Sequence, residues 1–236
     1  MVYFTFSEGF RVGGVNRAIP RRDGSVVDDQ FASDDLESYE LGLKSKWADN
    51  RVEFNAALYA VDWHDIQISQ TDDLTAFDYT ENAGEAEIRG VEGEFRWLMN
   101  EYFDVSAGVT YIDHEITEGE DKGSELPLVS NENYYLSARY GREVFDTMSM
   151  YARADWTYTG GYQTDTNPSR PSIDSYEILN FQVGLQHQDW EVTAFVKNAL
   201  DNDAVIDEVR PGNSAPLGRV TRLTPRTIGG SVKWYF

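Results

Sequence analysis

The sequence predicts an all-β protein of about ten antiparallel strands in up-and-down order, built to cross a lipid bilayer rather than to enclose a core. Three observations carry this. Apolar and polar residues alternate with period two along most of the 236 residues. The connections between alternating stretches are long and short in strict turn. Aromatic residues reach 14% in a chain whose mean hydropathy is −0.52, so its apolar surface is spread over alternate positions and not gathered into runs.

The strands follow in chain order. A weaker alternation spans Val2–Phe10. In "SYELGLKS" Tyr39, Leu41 and Leu43 alternate with Glu40, Gly42 and Lys44, and in "RVEFNAALYA" Val52, Phe54, Ala56 and Leu58 alternate with Glu53, Asn55, Ala57 and Tyr59. "GVEGEFRW" sets Val91, Gly93, Phe95 and Trp97 against Glu92, Glu94 and Arg96. Weaker stretches cover Phe103–Tyr111 and Tyr134–Tyr140. "MSMYARADWTY" sets Met150, Ala152, Ala154 and Trp156 against Tyr151, Arg153, Asp155 and Thr157. "ILNFQVGLQ" and "WEVTAFVK" repeat the pattern with Phe181, Val183, Val192 and Val196 on the apolar side. The last strand, "IGGSVKWYF", keeps Ile228, Val232, Trp234 and Phe236 on one parity to the final residue. Each reads as a sheet with one apolar and one polar face.

The connections decide between architectures. Segments 48–50, 100–102, 141–146 and 187–189 are short, and the polar segments 11–37, 70–86, 114–131, 160–174 and 199–225 are long. A membrane barrel has short periplasmic turns and long outer loops, which this order reproduces. A soluble sandwich shares the alternation but has no reason for regular loop asymmetry. By that parity the final strand runs downward, and Val232, Trp234 and Phe236 lie on the lipid side at the periplasmic rim, where an aromatic belongs.

Composition removes several classes. There are 41 acidic against 20 basic residues, a net charge of −21, which gives no basic footprint for nucleic acid. No cysteine is present, so neither a disulfide frame nor a thiolate metal site is available. No apolar run approaches the roughly 20 residues of a spanning helix. "MVYFTFSEGF" has neither the basic nor the apolar region of a signal peptide.

Five segments, in order, resemble the C-terminal barrel of TonB-dependent outer-membrane receptors: "FTFSEGFRVGGVN", "YELGLKS", "NAGEAEIRGVEGE", "VKNALDNDAV" and "TPRTIGGSVKWYF". In the fourth, Ala199 follows the asparagine where the family pattern has leucine. The resemblance implies a barrel of about 22 strands around a plug. Residues 1–236 are then expected to be the C-terminal portion, an open half-barrel without plug or signal peptide. It further implies uptake of a ferric siderophore or another large nutrient, with coupling to the TonB complex through the plug. The chain itself is expected to be a non-enzymatic wall. Outer-membrane lipid, lipopolysaccharide and the barrel-assembly machinery are the implied partners, and Val232, Trp234 and Phe236 the insertion signal.

Candidate ligand contacts are Arg11, Asn16, Arg17, Arg21 and Arg22, a basic cluster in the first long loop, because arginine matches carboxylate and phosphate geometry. The polar-parity set Glu40, Lys44, Glu53, Glu92, Glu94, Arg96, Arg153, Asp155, Glu191 and Lys197 reads as a lumen wall. It faces plug and ligand, or pairs its charges across strands. The acidic segments Asp28–Glu37 and Glu115–Glu125 bridge divalent cations to lipopolysaccharide or are simply solvated. "DNDAVIDE" (Asp201–Glu208) lacks the glycine and spacing of a calcium loop and reads as a strand-end turn. His64, His114 and His187 are far apart, and no catalytic motif or cofactor signature is present. Two rivals remain. One is a complete small outer-membrane barrel with surface hydrolase activity, for which Asp113 and His114 are the only candidates. The other is a secreted carbohydrate-binding β-sandwich.

Overall fold

The computed structural model describes residues 1–19, 25–72, 77–145, 147–167, 170–209 and 218–236. None of them is helical. The strands are β1 (Val2–Arg11), β2 (Gly14–Val15), β3 (Gln30–Phe31), β4 (Asp34–Trp47), β5 (Val52–His64) and β6 (Gln67–Thr71). Next come β7 (Asp78–Asn82), β8 (Ala86–Leu98), β9 (Phe103–Ile116), β10 (Glu132–Phe145), β11 (Met148–Thr159) and β12 (Tyr162–Gln163). The last are β13 (Ser172–Ile173), β14 (Tyr176–His187), β15 (Trp190–Lys197), β16 (Val205–Val209), β17 (Arg219–Arg222) and β18 (Thr227–Trp234).

Ten of these form one antiparallel sheet in the order β1-β4-β5-β8-β9-β10-β11-β14-β15-β18. β1 and β18 are its edges and do not pair with each other, so the barrel is open. This removes the small closed barrel. The other eight strands make two-stranded ribbons inside the long loops.

Register sorts side chains between two faces, because directly opposed residues point the same way. One row runs Ser45–Phe54–Phe95–Ala107–Leu136–Trp156–Leu179, and a parallel one runs Phe4–Leu41–Leu58–Val91–Tyr111. This face has no second layer: Leu58 is 56% exposed, Val183 54% and Val232 71%. A sandwich would have covered them. In water that apolar area is unfavourable; in lipid it is the solvated state.

The opposite face carries a recurring device. Tyr3 lies opposite Gly42, Tyr59 opposite Gly90, Tyr135 opposite Gly108, Tyr151 opposite Gly184 and Phe195 opposite Gly229. Each ring lies flat over its glycine: a Cβ on Gly108 would stand 2.0 Å from the Tyr135 ring. The absent side chain lets the ring lie down, which restores the packing that glycine lacks in a strand.

Several strand ends differ from the expected ones. β4 begins at Asp34, inside the segment read as an acidic loop, and β9 continues to Ile116. β10 reaches Phe145, pairing Gly141 with Tyr151 where a turn was expected, while β18 stops at Trp234, short of Phe236. A strand of 13 or 14 residues exceeds the 9–11 or so that a tilted strand needs to cross lipid. Its ends stand in water, so they carry charges and lose the alternation that marked the middle.

The apolar core lies elsewhere. Ile66, Ile68, Ala83, Ala86, Ile116 and Leu126 form a buried cluster against Trp63, Ile88 and Val129. By register, Trp63, Ala86, Ile88 and Ile116 belong to the glycine–aromatic face. The long loops therefore fold over that face, which is the inner one.

Candidate functional site: inner wall and loop collar

The long loops are knitted into a collar. In the first, Asn16 donates from Nδ2 to Thr80 O at 2.7 Å and accepts from Thr80 N–H at 2.9 Å, fixing it to the β6–β7 ribbon. Asn82 receives Ala32 N–H at 2.7 Å and donates to Asp65 O at 2.6 Å. Gly84 and Gly119 have φ near +106° and +105°, which favours glycine, and each backbone passes so close to the other that a Cβ would overlap a carbonyl. Gln70 Nε2 donates to Glu81, Asp121 and Thr166, joining the second, third and fourth loops. Tyr162 donates to Ile206 O at 2.7 Å and ties the fourth to the fifth. Burial, then the nearby Tyr176 and Asp207, raise the Tyr162 phenol above its usual value, so it stays protonated and keeps donating.

Arg11 sits where the collar meets the sheet. Its guanidinium grips Asp34, which is 1% exposed, and also donates to Gln67 O at 2.8 Å. Asp34 also accepts from Trp63 Nε1 at 3.1 Å and Gln67 N–H at 3.0 Å, while Arg11 stacks 4.7 Å over the Trp63 ring. Arg11 and Asn16, read from sequence as ligand contacts, are thus engaged in holding the collar. Arg17 is exposed, and Arg21 and Arg22 lie outside the described residues.

The fourth and fifth family-like segments meet at the end of β15. Asn198, with φ +49°, donates to Asn202 O and Thr224 O, and its Oδ1 accepts Asn202 N–H. Asp201 accepts Arg226 N–H at 2.9 Å and pairs with its guanidinium at 3.2 Å. Asn202 Oδ1 accepts Ala204 N–H. The "NALDN" and "TPR" segments are therefore two halves of one knot, built from Asp and Asn bonding nearby backbone as expected of a turn. Val205–Val209 leaves it as strand β16.

Register places all ten wall residues on the inner face. Glu40 accepts from Tyr3 Oη at 2.5 Å, and Lys44 lies over the same ring. Glu53 pairs with Lys46 at 2.8 Å, and Arg153 with Asp155 at 2.8 Å. Glu191 gathers Tyr151 Oη, Tyr235 Oη and Lys233, and Lys197 lies over Phe195. Glu92 and Glu94 border a concavity of about 290 Å³ with Thr110, Asn133 and Tyr135. Arg96 borders a larger one, of about 720 Å³, at the short-turn end.

Two placements were not visible in the sequence. His114 is 3% exposed in the collar, with Nδ1 accepting Leu126 N–H at 3.0 Å and Nε2 without a partner. On the outer face, Glu8, Glu37, Asp62, Glu87 and Glu115 stand directly opposite one another across five successive strands. That acidic row rims the loop end above the apolar belt. Among the described residues, no three or more His, Cys, Asp or Glu side chains form a group able to hold a metal ion.

Residues 1–199 match the family described as TonB dependent receptor-like, beta-barrel. The fold is shared with the ferric yersiniabactin uptake receptor FyuA of Yersinia pestis, at TM-score 0.80 and 22% identity over 98% of this chain and 34% of that one. It is also shared with the ferric-catecholate import receptor Fiu of E. coli K12, at TM-score 0.69 and 19% identity over 100% of this chain and 33% of that one. A third is the copper transporter OprC, at TM-score 0.76 and 14% identity over 100% of this chain and 37% of that one. The chain spans about a third of the length of these proteins. With the family match over most of its length, an open ten-stranded wall and an apolar outer face, the chain belongs to the TonB-dependent receptor β-barrel family.

Proposed function

We propose that the chain is one wall of an outer-membrane receptor for energised uptake of a large nutrient, a ferric siderophore or comparable metal chelate. The observation that carries this is the single-layer sheet: ten strands with a bare apolar face on one side and a charged, collar-covered face on the other. Barrels of this family are Gram-negative outer-membrane proteins. In this reading the short turns face the periplasm, and the C-terminus with them, while the collar faces outward. Residues 1–236 form the C-terminal portion of the barrel, and strands outside this chain complete it by pairing with β1 and β18. A plug in the lumen couples to TonB, and lipid, with lipopolysaccharide at the acidic rim, surrounds the outside. The wall contributes charge and shape and no bond chemistry. Arg17, which is exposed, is the described first-loop arginine that meets an anionic chelate, together with Arg21 and Arg22 of the same loop. Glu92 and Glu94 face the lumen contents.

Expression of the chain with its native upstream coding sequence, in a Gram-negative host under metal limitation, tests this. The protein should fractionate with the outer membrane, and uptake of a labelled chelate from a panel of ferric siderophores and copper should disappear in a strain without TonB. Recovery in the soluble periplasm, or uptake indifferent to TonB, would overturn the reading.

A further inference from the structure

His114 is a titratable side chain closed into the collar with no charge to hold it. It is 3% exposed on the inner parity of β9, with Ile88 directly opposite on β8 and Ile112 and Ile116 on either side. Leu126, buried in the third long loop, donates its N–H to Nδ1 at 3.0 Å. Among the described residues that N–H has no other acceptor, and Nε2 has no partner. An Nδ1 that accepts carries no proton, so the ring is neutral with its proton on Nε2. The charged groups of the elements packed around it are turned elsewhere. On β8 and β9, Glu87, Arg89, Asp113 and Glu115 have the outer parity. Glu92 shares the inner face but stands opposite Thr110, four residues along, about 13 Å. In the third loop Glu118, Glu120, Lys122 and Glu125 are exposed, and Asp121 is taken by Gln70 and Thr166. On the β6–β7 ribbon Asp78 is exposed and Glu81 accepts from Gln70, while Glu85 beyond it pairs with His64 at 3.5 Å.

We propose that His114 is an acid-operated latch on the third loop: Leu126 stays seated in the collar core while the ring is neutral and is released when the ring takes a second proton. A protonated imidazole donates from both nitrogens, so Nδ1–H would point at Leu126 N–H, donor against donor. Its charge would stand among Ile88, Ile116 and Leu126, unpaired and out of water. The closed loop therefore admits only the neutral ring, whereas the open loop, with the ring in water, admits both forms. Protons then bind the open state alone, which sets the sign. The closed state is fully favoured above the range where exposed histidines titrate. Below it the open share rises, by up to about tenfold per pH unit. The moving piece is short, because Gly123 N–H bonds Ile116 O on one side and Leu128 N–H bonds Gln163 O on the other. In the receptor reading the collar faces the outer medium, whose acidity would then set the latch. The latch itself stands on the collar geometry and does not depend on what the receptor takes up.

The test uses the protein expressed with its native upstream coding sequence and purified in detergent. Amide hydrogen exchange is followed at about pH 7.5 and about pH 5, either side of the histidine range, and corrected for the intrinsic exchange rate. Protection of the 117–131 amides, Leu126 above all, should fall about tenfold or more in acid, while the β10–β11 ladder keeps its protection. His114→Gln cannot be protonated, so its 117–131 protection should be the same at both pH values, whatever its level. His64→Gln removes the other collar histidine and should leave the acid response intact. The comparison of 117–131 with β10–β11 needs no variant, so a misfolded His114→Gln leaves the test standing. Unchanged protection in acid, or equal loss across the whole sheet, would overturn the latch. So would a response that survives in His114→Gln or vanishes in His64→Gln.

Discussion

The two ends of the sheet are built by different physics. At the loop end, Ile66, Ile116 and Leu126 are buried as in a water-soluble domain, and hydrogen bonds run from loop to loop around them. At the short-turn end there is no such cluster among the described residues; turns such as Ala48–Asp49–Asn50, all left-handed, merely reverse the chain, and the inner face opens into a cavity. The collar stands in water and is held by apolar burial. The wall has its apolar face turned out and is held by interstrand hydrogen bonds and lipid. A single chain thus contains a part that gains from hiding hydrophobic groups and a part that gains from displaying them.

The largest expected effect separates these two parts. Ile116 is fully buried, so Ile116→Ala should cost the collar about 2–5 kcal/mol by lost burial and a cavity. Limited proteolysis should then cut the 117–131 loop quickly while the strand core stays protected. Loss of the whole sheet would show that collar and wall fold as one unit.

Next comes a pair of neighbours on β9. Val109 is 45% exposed on the outer face, and Thr110 faces inward opposite Glu92. Val109→Lys should cost about 2–4 kcal/mol if it lies near the bilayer midplane. Thr110→Lys should be neutral or gain up to about 1 kcal/mol from Glu92. Urea titration in lipid vesicles compares them, and equal costs would mean that the faces are wrongly assigned.

The wall was readable because alternation is local: each strand's apolar parity can be counted without knowing its neighbours. Its ends were not, since Asp34, Glu37 and Glu115 continue the ladder in water, where no lipid dictates the side chain. The collar was invisible for a related reason. Its core draws one or two residues from each of several loops, and Ile66, Ala83 and Leu126 show no period. The ribbons β6–β7 and β16–β17 have strands of only four or five residues with no sustained alternation, so they read as loop. Among site residues, Arg11 and Asn16 were visible as polar groups in a loop. Their partners Asp34 and Thr80, which give them their role, lie 23 and 64 positions away.

A third prediction concerns the inner face. Gly108→Ala puts a methyl into the Tyr135 ring, and since overpacking typically costs about 1–3 kcal/mol, the wall should weaken by that amount. Tyr135→Ala uncovers the glycine instead. Combined, the two should cost less than their sum, because the ring that clashes is gone. Strict additivity in a double-mutant cycle would mean that the ring moves aside freely and that the glycine–aromatic pairs are not a packing device.

The smallest expected effect on stability belongs to Phe236. It is fully exposed, and the ladder ends two residues earlier at Trp234, although Tyr235 N–H still reaches Asp189 O at 2.8 Å. The ring therefore holds nothing inside the protein, unlike Ile116. Phe236→Ser should change the unfolding free energy of the folded wall by less than about 1 kcal/mol, the scale of a surface substitution. Its ring is placed instead to enter the interfacial girdle beside Trp234 and Trp190, which pair across β15 and β18. The effect should appear in delivery: fewer copies in the outer membrane by surface labelling, with ligand affinity unchanged in the copies that insert. Unchanged abundance with weakened ligand binding would place the chain end among the ligand contacts and reverse the orientation assigned to the wall.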